Sequence, residues 1–190
     1  MKKYKNDLFP ELTTQRLILR KINLDDAKSL FKYWSDNEVT KHLNMEPFVT
    51  MQQTFRMIKT LNGLFDRNEG IRWAIVRKED NIIIGTCGFN NWIMKSSRGE
   101  VGYELGRIYW GNGYATESLK EMLRYGFEEI KLNRIEAFTV PEAHKSINLL
   151  KKLGFKKEGT LREYGYWNDQ YQDENIYSLL KRDWILENKL

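Results

Sequence analysis

The chain has 190 residues, 41% of them hydrophobic and 13% aromatic, with a single cysteine and a formal net charge of +5 at pH 7. The apolar content excludes an intrinsically disordered chain, and the lone cysteine excludes an internal disulfide or a cysteine-rich zinc site. No apolar stretch approaches the roughly 20 residues needed to span a bilayer, and no apolar signal core follows the polar start. We therefore predict one cytoplasmic domain over residues 1–190, beginning with an arm at residues 1–12.

Hydrophobic spacing predicts strands and helices that interleave along the chain. Strands are predicted at residues 16–20, 72–77, 81–89, 100–105, 134–140, about 156–166 and about 175–180. Helices are predicted over residues 24–34, after a capping box formed by Thr50 and Gln53, after Gly113 and over residues 146–153. Polar loops are predicted over residues 43–49 and 90–98. Helices that interleave with partly hairpin-linked strands indicate a mixed sheet with helices on both faces.

The basic residues form one visible cluster. Between His144 and Arg162 lie five lysines and a single acid, Glu158. This patch either meets a small polyanion or is a solvated surface. A nucleic-acid interface is not favoured, because the chain shows no basic stripe interleaved with aromatic residues.

The most informative stretch runs from Tyr103 to Ser118, where a strand passes through a short loop into a helix. Gly111 and Gly113 let successive backbone N–H groups point in one direction and let a ligand approach the main chain. The helix N-terminus adds about half a positive charge, which suits a phosphate. The loop lacks the lysine of a Walker loop and the third glycine of a dinucleotide fingerprint. It therefore predicts either a phosphate-binding loop or an ordinary tight turn.

Several ordered segments together resemble the GNAT superfamily of acetyl-CoA-dependent N-acetyltransferases. They are Tyr103–Leu105, Trp110–Ser118, Asn133–Ala137, Ser146–Phe155 and Glu158–Arg162. The stretch Leu12–Arg20 is similar to the first strand of the RimJ/RimL-type branch, the ribosomal-protein N-terminal acetyltransferases. The resemblance covers roughly residues 12–184. It implies an α/β (α+β) fold with a mixed, mostly antiparallel central sheet of about seven strands and helices on both faces.

The resemblance also implies where acetyl-CoA binds. Backbone amides from Trp110 to Ala115 would hold the coenzyme A pyrophosphate. The strand around Tyr103–Leu105 would splay from its neighbour, pair with the pantetheine and present an amide to the thioester oxygen, which stabilises the oxyanion. The basic patch would meet the coenzyme phosphates. The coenzyme-binding candidates are Glu104, Leu105, Trp110, Gly111, Asn112, Gly113, Tyr114, Ala115, Thr116, Asn148 and Lys152. No metal is expected.

Three positions depart from the family pattern. Ile108 stands where the superfamily loop commonly has Gln or Arg, at a position that varies in the branch. Ala143 stands where the branch usually has Asn, so one contact to the coenzyme arm should be missing unless His144 or Asn148 replaces it. Leu150 stands where many members place a Tyr general acid, which excludes a tyrosine acid from this helix.

The resemblance and the residue chemistry together suggest an acid and a base. A carboxylate is the simplest base for an amine that must be neutral to attack a thioester. Glu100 stands where the superfamily often places its catalytic glutamate, and Glu104 shares its strand face. Either is otherwise an exposed strand residue. Ser146 matches the helix serine of the branch and would protonate the departing thiolate, unless it is an ordinary helix cap. His144 is a second candidate acid.

Other side chains have weaker assignments. Cys87 is expected to be a small buried residue rather than a nucleophile. The acceptor side of the cleft is expected to be shaped by aromatic and acidic side chains unless these belong to the core or the solvated surface. They are Phe48, Trp92, Tyr164, Tyr166, Trp167, Asp169, Asp173 and Glu174.

The leading functional prediction is acetyl transfer from acetyl-CoA to a protein N-terminal α-amine, by direct attack through a tetrahedral intermediate. One alternative is acetylation of a small amine, such as a polyamine, an aminoglycoside or an amino-acid derivative. Another is a non-catalytic acyl-CoA-binding sensor, given Ala143 and the missing tyrosine. No membrane or nucleic-acid partner is predicted, and the sequence leaves the acceptor and a possible homodimer open.

Overall fold

The computed structural model describes residues 8–167 and 169–187. Its strands are Leu12–Thr13 (β1), Leu17–Lys21 (β2), Ile71–Arg77 (β3), Ile82–Ile93 (β4), Arg98–Leu105 (β5), Arg134–Thr139 (β6), Lys156–Trp167 (β7) and Gln170–Leu180 (β8). Its α-helices are Ala27–Trp34 (α1), Asn37–Thr40 (α2), Met51–Asp66 (α3), Tyr114–Glu128 (α4), His144–Lys152 (α5) and Lys181–Glu187 (α6). Within the described residues, no helix is both long and apolar enough to cross a membrane.

The strands form one sheet of eight in the order β1-β2-β3-β4-β5-β6-β8-β7. Every neighbouring pair is antiparallel except β5 and β6, which are parallel. This confirms the predicted mixed, mostly antiparallel sheet, with eight strands in place of seven because the short β1 adds an edge.

Helices cover both faces of the sheet, and the alternation of side chains along β5 shows which helix lies on which face. The Glu104 carboxylate meets Trp34 of α1, whereas the adjacent Tyr103 meets Ser146 of α5. Neighbouring residues of a strand point to opposite faces. We call these the α1 face and the α5 face. The core of the α5 face includes the fully buried Phe89 and Ile135, which approach α4 at Gly126.

Strands β5 and β6 pair over only three residues and then separate. The register joins Arg98–Glu100 to Arg134–Glu136, although β5 continues to Leu105 and β6 to Thr139. Each strand stays paired beyond this point with its outer neighbour, β4 or β8. The inner edges of β5 and β6 are therefore parted at their C-terminal ends, which places an opening in the middle of the sheet.

Local sequence signals account for several boundaries. Thr50 and Gln53 form the predicted capping box at the start of α3. Gly154 has φ of 85° after α5, and the Phe155 amide donates to the Leu150 carbonyl at 3.0 Å, as in a Schellman-type cap.

Other boundaries differ from the sequence prediction. The predicted loop over 90–98 is wrong at its start, because residues 90–93 extend β4 past a bulge at Asn90. Strand β8 begins at 170 rather than 175, where both strands of the outer hairpin are largely exposed and lack apolar alternation. Leu12 belongs to β1 rather than to the arm, and residues 1–7 of the arm lie outside the described residues. Helix α5 begins at His144, two residues early, and α6 was not predicted.

An ion pair joins the start of β6 to the start of β7. Glu158 accepts hydrogen bonds from Arg134 Nη1 at 2.8 Å and from Ser178 Oγ at 2.6 Å. The Arg134 guanidinium lowers the pKa of the Glu158 carboxyl to about 2. Because the folded pKa lies below the ordinary value, this pair stabilises the fold above about pH 4.5, and the stabilisation is lost as the pH falls towards about 2.

We expect Glu158→Gln to lower the free energy of unfolding at pH 7 by about 1 kcal/mol or less, because the Glu158 side chain is 42% exposed and solvent screens the pair. The variant should lose less stability than the wild type between about pH 4.5 and 2. Urea titrations across this range measure the difference. Glu79→Gln, at an exposed turn, is the control, and parallel curves for wild type and Glu158→Gln would contradict the assignment.

Candidate active site

The loop between β5 and α4 presents unpaired backbone donors. Gly111 and Gly113 have φ of 78° and 79°, in the left-handed region that favours glycine. Among the described residues, no protein group accepts from the amides of 111–116. A Cβ atom at Gly111 would meet nothing within 4 Å, so the main chain there is open to a ligand. Six free N–H groups at a helix N-terminus form a site suited to a phosphate.

Trp110 stabilises this loop, because both of its N–H groups donate to carbonyls near its start. Its amide donates to the Arg107 carbonyl at 3.1 Å, and its indole Nε1 donates to the Leu105 carbonyl at 2.8 Å. Trp110 is the first member of the predicted run of coenzyme-binding amides, and the turn itself already uses its amide. The free donors begin at Gly111.

Arg16 holds the other side of the loop. Its guanidinium donates to the Asn112 carbonyl at 3.0 Å and to Glu117 at 2.7 Å, and it stacks on the Tyr114 ring at 4.5 Å. Glu117 also accepts from Thr14 Oγ1 at 2.6 Å. The first turn of α4 is thus tied to the chain between β1 and β2, a contact that sequence spacing did not indicate.

Helix α5 brings positive charge to the same loop. The Lys145 ammonium lies 4.4 Å from the centre of the Trp110 ring. Asn148 and Lys152, both predicted to bind the coenzyme, follow at helical spacing and are exposed. Ala143 is the buried N-cap residue and makes no side-chain cap, while Leu150 belongs to the core.

Glu104 lies in a buried network on the α1 face. Its carboxylate forms an ion pair with Arg72, accepts from Trp34 Nε1 at 3.0 Å and accepts from Thr86 Oγ1 at 2.5 Å. Arg72 also donates to Thr86 Oγ1 at 2.7 Å. The side chain of Glu104 is 7% exposed and fully engaged, so only its backbone remains for a ligand. Arg72 lies within the otherwise apolar start of the strand 71–77, and a charged residue at such a position predicts a buried partner of opposite charge.

Gly102 makes room for this network between Glu100 and Glu104. A Cβ atom there would lie 2.6 Å from Arg72 Nη1 and would clash with Asn90 Nδ2. Asn90 is the bulged residue, and its Oδ1 accepts from Arg72 Nη1 at 3.0 Å. The bulge therefore turns the Asn90 side chain towards the network.

Glu100 lies in a solvent-accessible cleft on the α1 face. Its carboxylate accepts from Asn91 Nδ2 at 2.6 Å. The cleft encloses about 330 Å³ where β5 and β6 begin to part. Besides Glu100 and Asn91, its walls include Arg98, Phe138, Leu161, Tyr164 and Ile176. A partly accessible carboxylate in such a cleft can accept a proton from a bound amine.

Ser146 meets a partner on the α5 face that sequence reasoning missed. Its Oγ lies 2.6 Å from the hydroxyl of Tyr103 on β5. Ser146 is therefore not an N-cap, since Ala143 occupies that position. Burial raises the pKa of the Tyr103 phenol to about 12, so the phenol is protonated at neutral pH. Side chains alternate along β5, so Glu100 and Glu104 project from one face and Tyr103 projects from the other. This alternation is the sequence feature from which the contact of Tyr103 could have been predicted.

The remaining predicted residues divide between cleft and core. Tyr164 lines the cleft and stacks on Phe138 at 5.8 Å. Trp92 and Trp167 are each 8% exposed and belong to apolar clusters, so they do not shape the cleft. Cys87 is buried as predicted, and burial raises the pKa of its thiol to about 12.

Phe48 packs on Trp34 at 5.6 Å, beside the network of Glu104 rather than in the cleft wall. Tyr166 packs on Tyr171 at 5.0 Å in the outer hairpin, where both rings are exposed. His144 begins α5 and is exposed.

Comparison with known proteins identifies the family. Residues 16–156 match the family described as Acetyltransferase (GNAT) domain. An uncharacterized N-acetyltransferase, p20, of Bacillus licheniformis is 46% identical, over 91% of this chain and 97% of that protein. The chain therefore belongs to the GNAT acetyltransferase family, whose members use acetyl-CoA as cosubstrate. It is an acetyl-CoA-dependent N-acetyltransferase.

Two further matches are more distant. The [ribosomal protein uS5]-alanine N-acetyltransferase of Escherichia coli is 26% identical, over 91% of this chain and 92% of that protein. The solved structure of spermidine N-acetyltransferase from Vibrio cholerae, in complex with CoA and spermine, matches with a TM-score of 0.79. It is 20% identical and covers 90% of this chain and 99% of that chain, a likeness that shows the fold.

We expect Gly111→Ala to weaken acetyl-CoA binding at least about tenfold, because the new methyl group projects from the open main chain into the space a phosphate would use. The left-handed φ of 78° adds a cost of about 1–2 kcal/mol to folding. Isothermal titration calorimetry measures the affinity. Gly154→Ala, also at positive φ but in the cap of α5, is the matched control, and equal loss in both variants would rule out a local effect.

We expect Glu104→Gln to lower the free energy of unfolding by about 3–5 kcal/mol, because it leaves the Arg72 guanidinium buried without its counter-ion. Urea denaturation measures the loss. The double variant Arg72→Met/Glu104→Met should recover much of it by removing both charges. A Glu104→Gln protein as stable as the wild type would disprove the structural role.

Proposed function

We propose that this enzyme acetylates the α-amine of a protein or peptide N-terminus. The observation that supports this acceptor is that Arg98 and Glu100 both lie in one wall of the cleft, two residues apart on the same strand face. A carboxylate suits an α-ammonium group, and a guanidinium suits the carbonyl oxygen of the same residue. An N-terminal residue carries both groups next to each other.

The walls of the cleft fit the rest of such an acceptor. Phe138, Leu161 and Ile176 offer apolar surface to a first side chain, and Tyr164 is 60% exposed above Phe138. The Arg98 guanidinium lies 3.4 Å from the Glu136 carboxylate, which holds it in this wall of the cleft. The similarity to the uS5-alanine N-acetyltransferase supports the same acceptor class and membership in the RimJ/RimL-type branch.

The proposed chemistry uses both faces of β5. Acetyl-CoA would enter the opening between β5 and β6, with its pyrophosphate on the free amides of the α4 loop and its phosphates near Lys145 and Lys152. Glu100 would take a proton from the acceptor amine on the α1 face, and an amide of β5 would stabilise the oxyanion of the tetrahedral intermediate. Ser146 would donate a proton to the departing thiolate on the α5 face.

Tyr103 would support Ser146 in this step. Its hydroxyl lies 2.6 Å from Ser146 Oγ, and a protonated phenol can replace the proton that the serine gives up. We also propose that residues 1–190 act as one acetyltransferase domain in the cytoplasm.

A small-amine acetyltransferase is the second candidate. It is favoured by Glu100 of β5 and Glu174 of β8, whose carboxylates lie on the cleft side of the sheet. It is also favoured by the fold shared with the spermidine enzyme. An acyl-CoA sensor is the third, and it would bind acetyl-CoA without turnover.

The test measures acetyl-CoA-dependent thiol release with two acceptor pools at equal concentration. One pool holds peptides with free Ala, Ser or Met N-termini, and the other holds polyamines and aminoglycosides. We expect turnover with the peptides, an acetylated product by mass, and no turnover when the α-amine is blocked. Turnover confined to small amines would establish the second candidate, and binding without turnover would favour the sensor.

Variants test the residue roles in the same assay. We expect Glu100→Gln and Ser146→Ala each to lower turnover by about 10²-fold or more while acetyl-CoA still binds. Ser29→Ala, at a partly exposed serine of α1, is the matched control and should leave turnover unchanged. Full turnover in Glu100→Gln would show that Glu100 is not the base.

A further inference from the structure

A second glutamate, Glu174 of β8, lies on the same side of the sheet as the cleft, next to residues that line it. Glu174 pairs across the strands with Leu161, and Ile176 follows it two positions along β8. Leu161 and Ile176 both line the cleft. Directly opposed residues and residues two apart project from the same face of a sheet, so Glu174 projects to the cleft side.

Glu174 is largely buried, and no described residue is paired with its carboxylate. It is 9% exposed, and among the described residues no group donates a hydrogen bond to its carboxylate or forms an ion pair with it. A buried carboxylate is costly unless a cation or hydrogen-bond donors compensate it. Asp26 and Glu104, which are comparably buried, are both paired with arginines. Among the described residues, the buried acids Asp26, Glu104 and Glu136 thus have arginine partners, and Glu174 has none.

Among the described residues, the charged groups around Glu174 supply no cation that pairs with its carboxylate. The negative charge of Glu100 on β5 acts on it, and Tyr164 of β7 contributes an uncharged phenol to the cleft. Glu136 of β6 is already neutralised by Arg134 and Arg98. Burial and the negative charge of Glu100 raise the pKa of Glu174, which makes it a better proton acceptor than an ordinary carboxylate.

Acetylation of an ammonium ion requires two deprotonations of the same nitrogen. The first frees the lone pair that attacks the thioester carbonyl. The second removes a proton from the cationic nitrogen after the C–N bond has formed. One of the two protons is matched by the proton that the departing thiolate gains, and the other is released to solvent. Two carboxylates on the acceptor side can therefore each take one proton.

We propose that Glu174 binds the ammonium group of the acceptor and takes its first proton, and that Glu100 takes the second. This inference rests on the acetyl transfer proposed above and adds a residue to its acceptor site. After the thiolate leaves with a proton from Ser146, the C–S bond is broken, the amide is formed and one proton remains for solvent.

The first experiment measures binding, so it does not depend on turnover. Alaninamide and spermidine are titrated by calorimetry into the CoA-saturated enzyme near pH 6.5, where an α-amine of pKa about 8 is mostly ionised. We expect at least one probe to bind the wild type and to bind Glu174→Gln at least about tenfold more weakly. Asp173→Asn is the matched control, since this neighbouring carboxylate is exposed and caps the Glu163 amide at 2.8 Å.

The second experiment measures the pH dependence of kcat/KM with whichever acceptor is turned over. For an α-amine, Glu174→Gln should lose about 30-fold near pH 6.5, where only about 3% of the amine is neutral, and recover to within about threefold near pH 9.5. Glu100→Gln should not recover, because the second deprotonation still lacks its base. This contrast would not arise from a structural role.

The outcomes separate this inference from the proposed function. Turnover with parallel pH profiles for Glu174→Gln and wild type would overturn the role of Glu174 while leaving the acetyltransferase assignment intact. Equal binding of the probes by Glu174→Gln and wild type, equal loss in Asp173→Asn, or binding of neither probe would overturn the ammonium site. Removal of an unpaired buried charge should raise Tm in Glu174→Gln, so lost binding there would not reflect unfolding.

Discussion

The separation of β5 from β6 is the constraint on which the site depends. A β-strand exposes a row of N–H and C=O groups that must find partners. Here two central strands share only three residue pairs and then follow their outer neighbours, so their inner edges open within the sheet. An opening at this position admits an extended ligand whose amides can replace the missing strand. The loop that follows β5 carries free N–H groups at the start of α4, which suit a phosphate of such a ligand.

Alternation along β5 divides the chemistry between two faces. The side chains of Glu100 and Glu104 point to the α1 face, and that of Tyr103 points to the α5 face. A base for the amine and a donor for the thiolate can thus lie on opposite sides of the bound thioester, where neither neutralises the other. The network around Arg72 ties the C-terminal part of β5 to α1 through Glu104 and Trp34.

Local sequence rules predicted the elements whose causes are local. The glycines before α4, the capping box of α3 and the cap after α5 each depend on residues a few positions apart. The positions of Glu100 and Ser146 followed from family resemblance, and the structure places them on opposite faces of the β5 edge. The contacts of Tyr103 and Asn90 could not be predicted in the same way, and Glu174 was predicted only as one of several acidic residues on the acceptor side. Their contacts depend on cross-strand register, on a one-residue bulge and on which face is buried.

The charges on the cleft side of the sheet say more about the acceptor than the shape of the cleft does. Most buried acids of this protein are satisfied by arginine, and Glu136 even shares two. Glu174 differs because the fold leaves it 9% exposed and, within residues 8–167 and 169–187, supplies no cation that pairs with it. Stability alone would favour a neutral residue at that position. A carboxylate kept there at a cost to folding is best explained by a positively charged substrate that completes the pair only when bound, so the same group that destabilises the free enzyme can select an ammonium acceptor and begin its deprotonation.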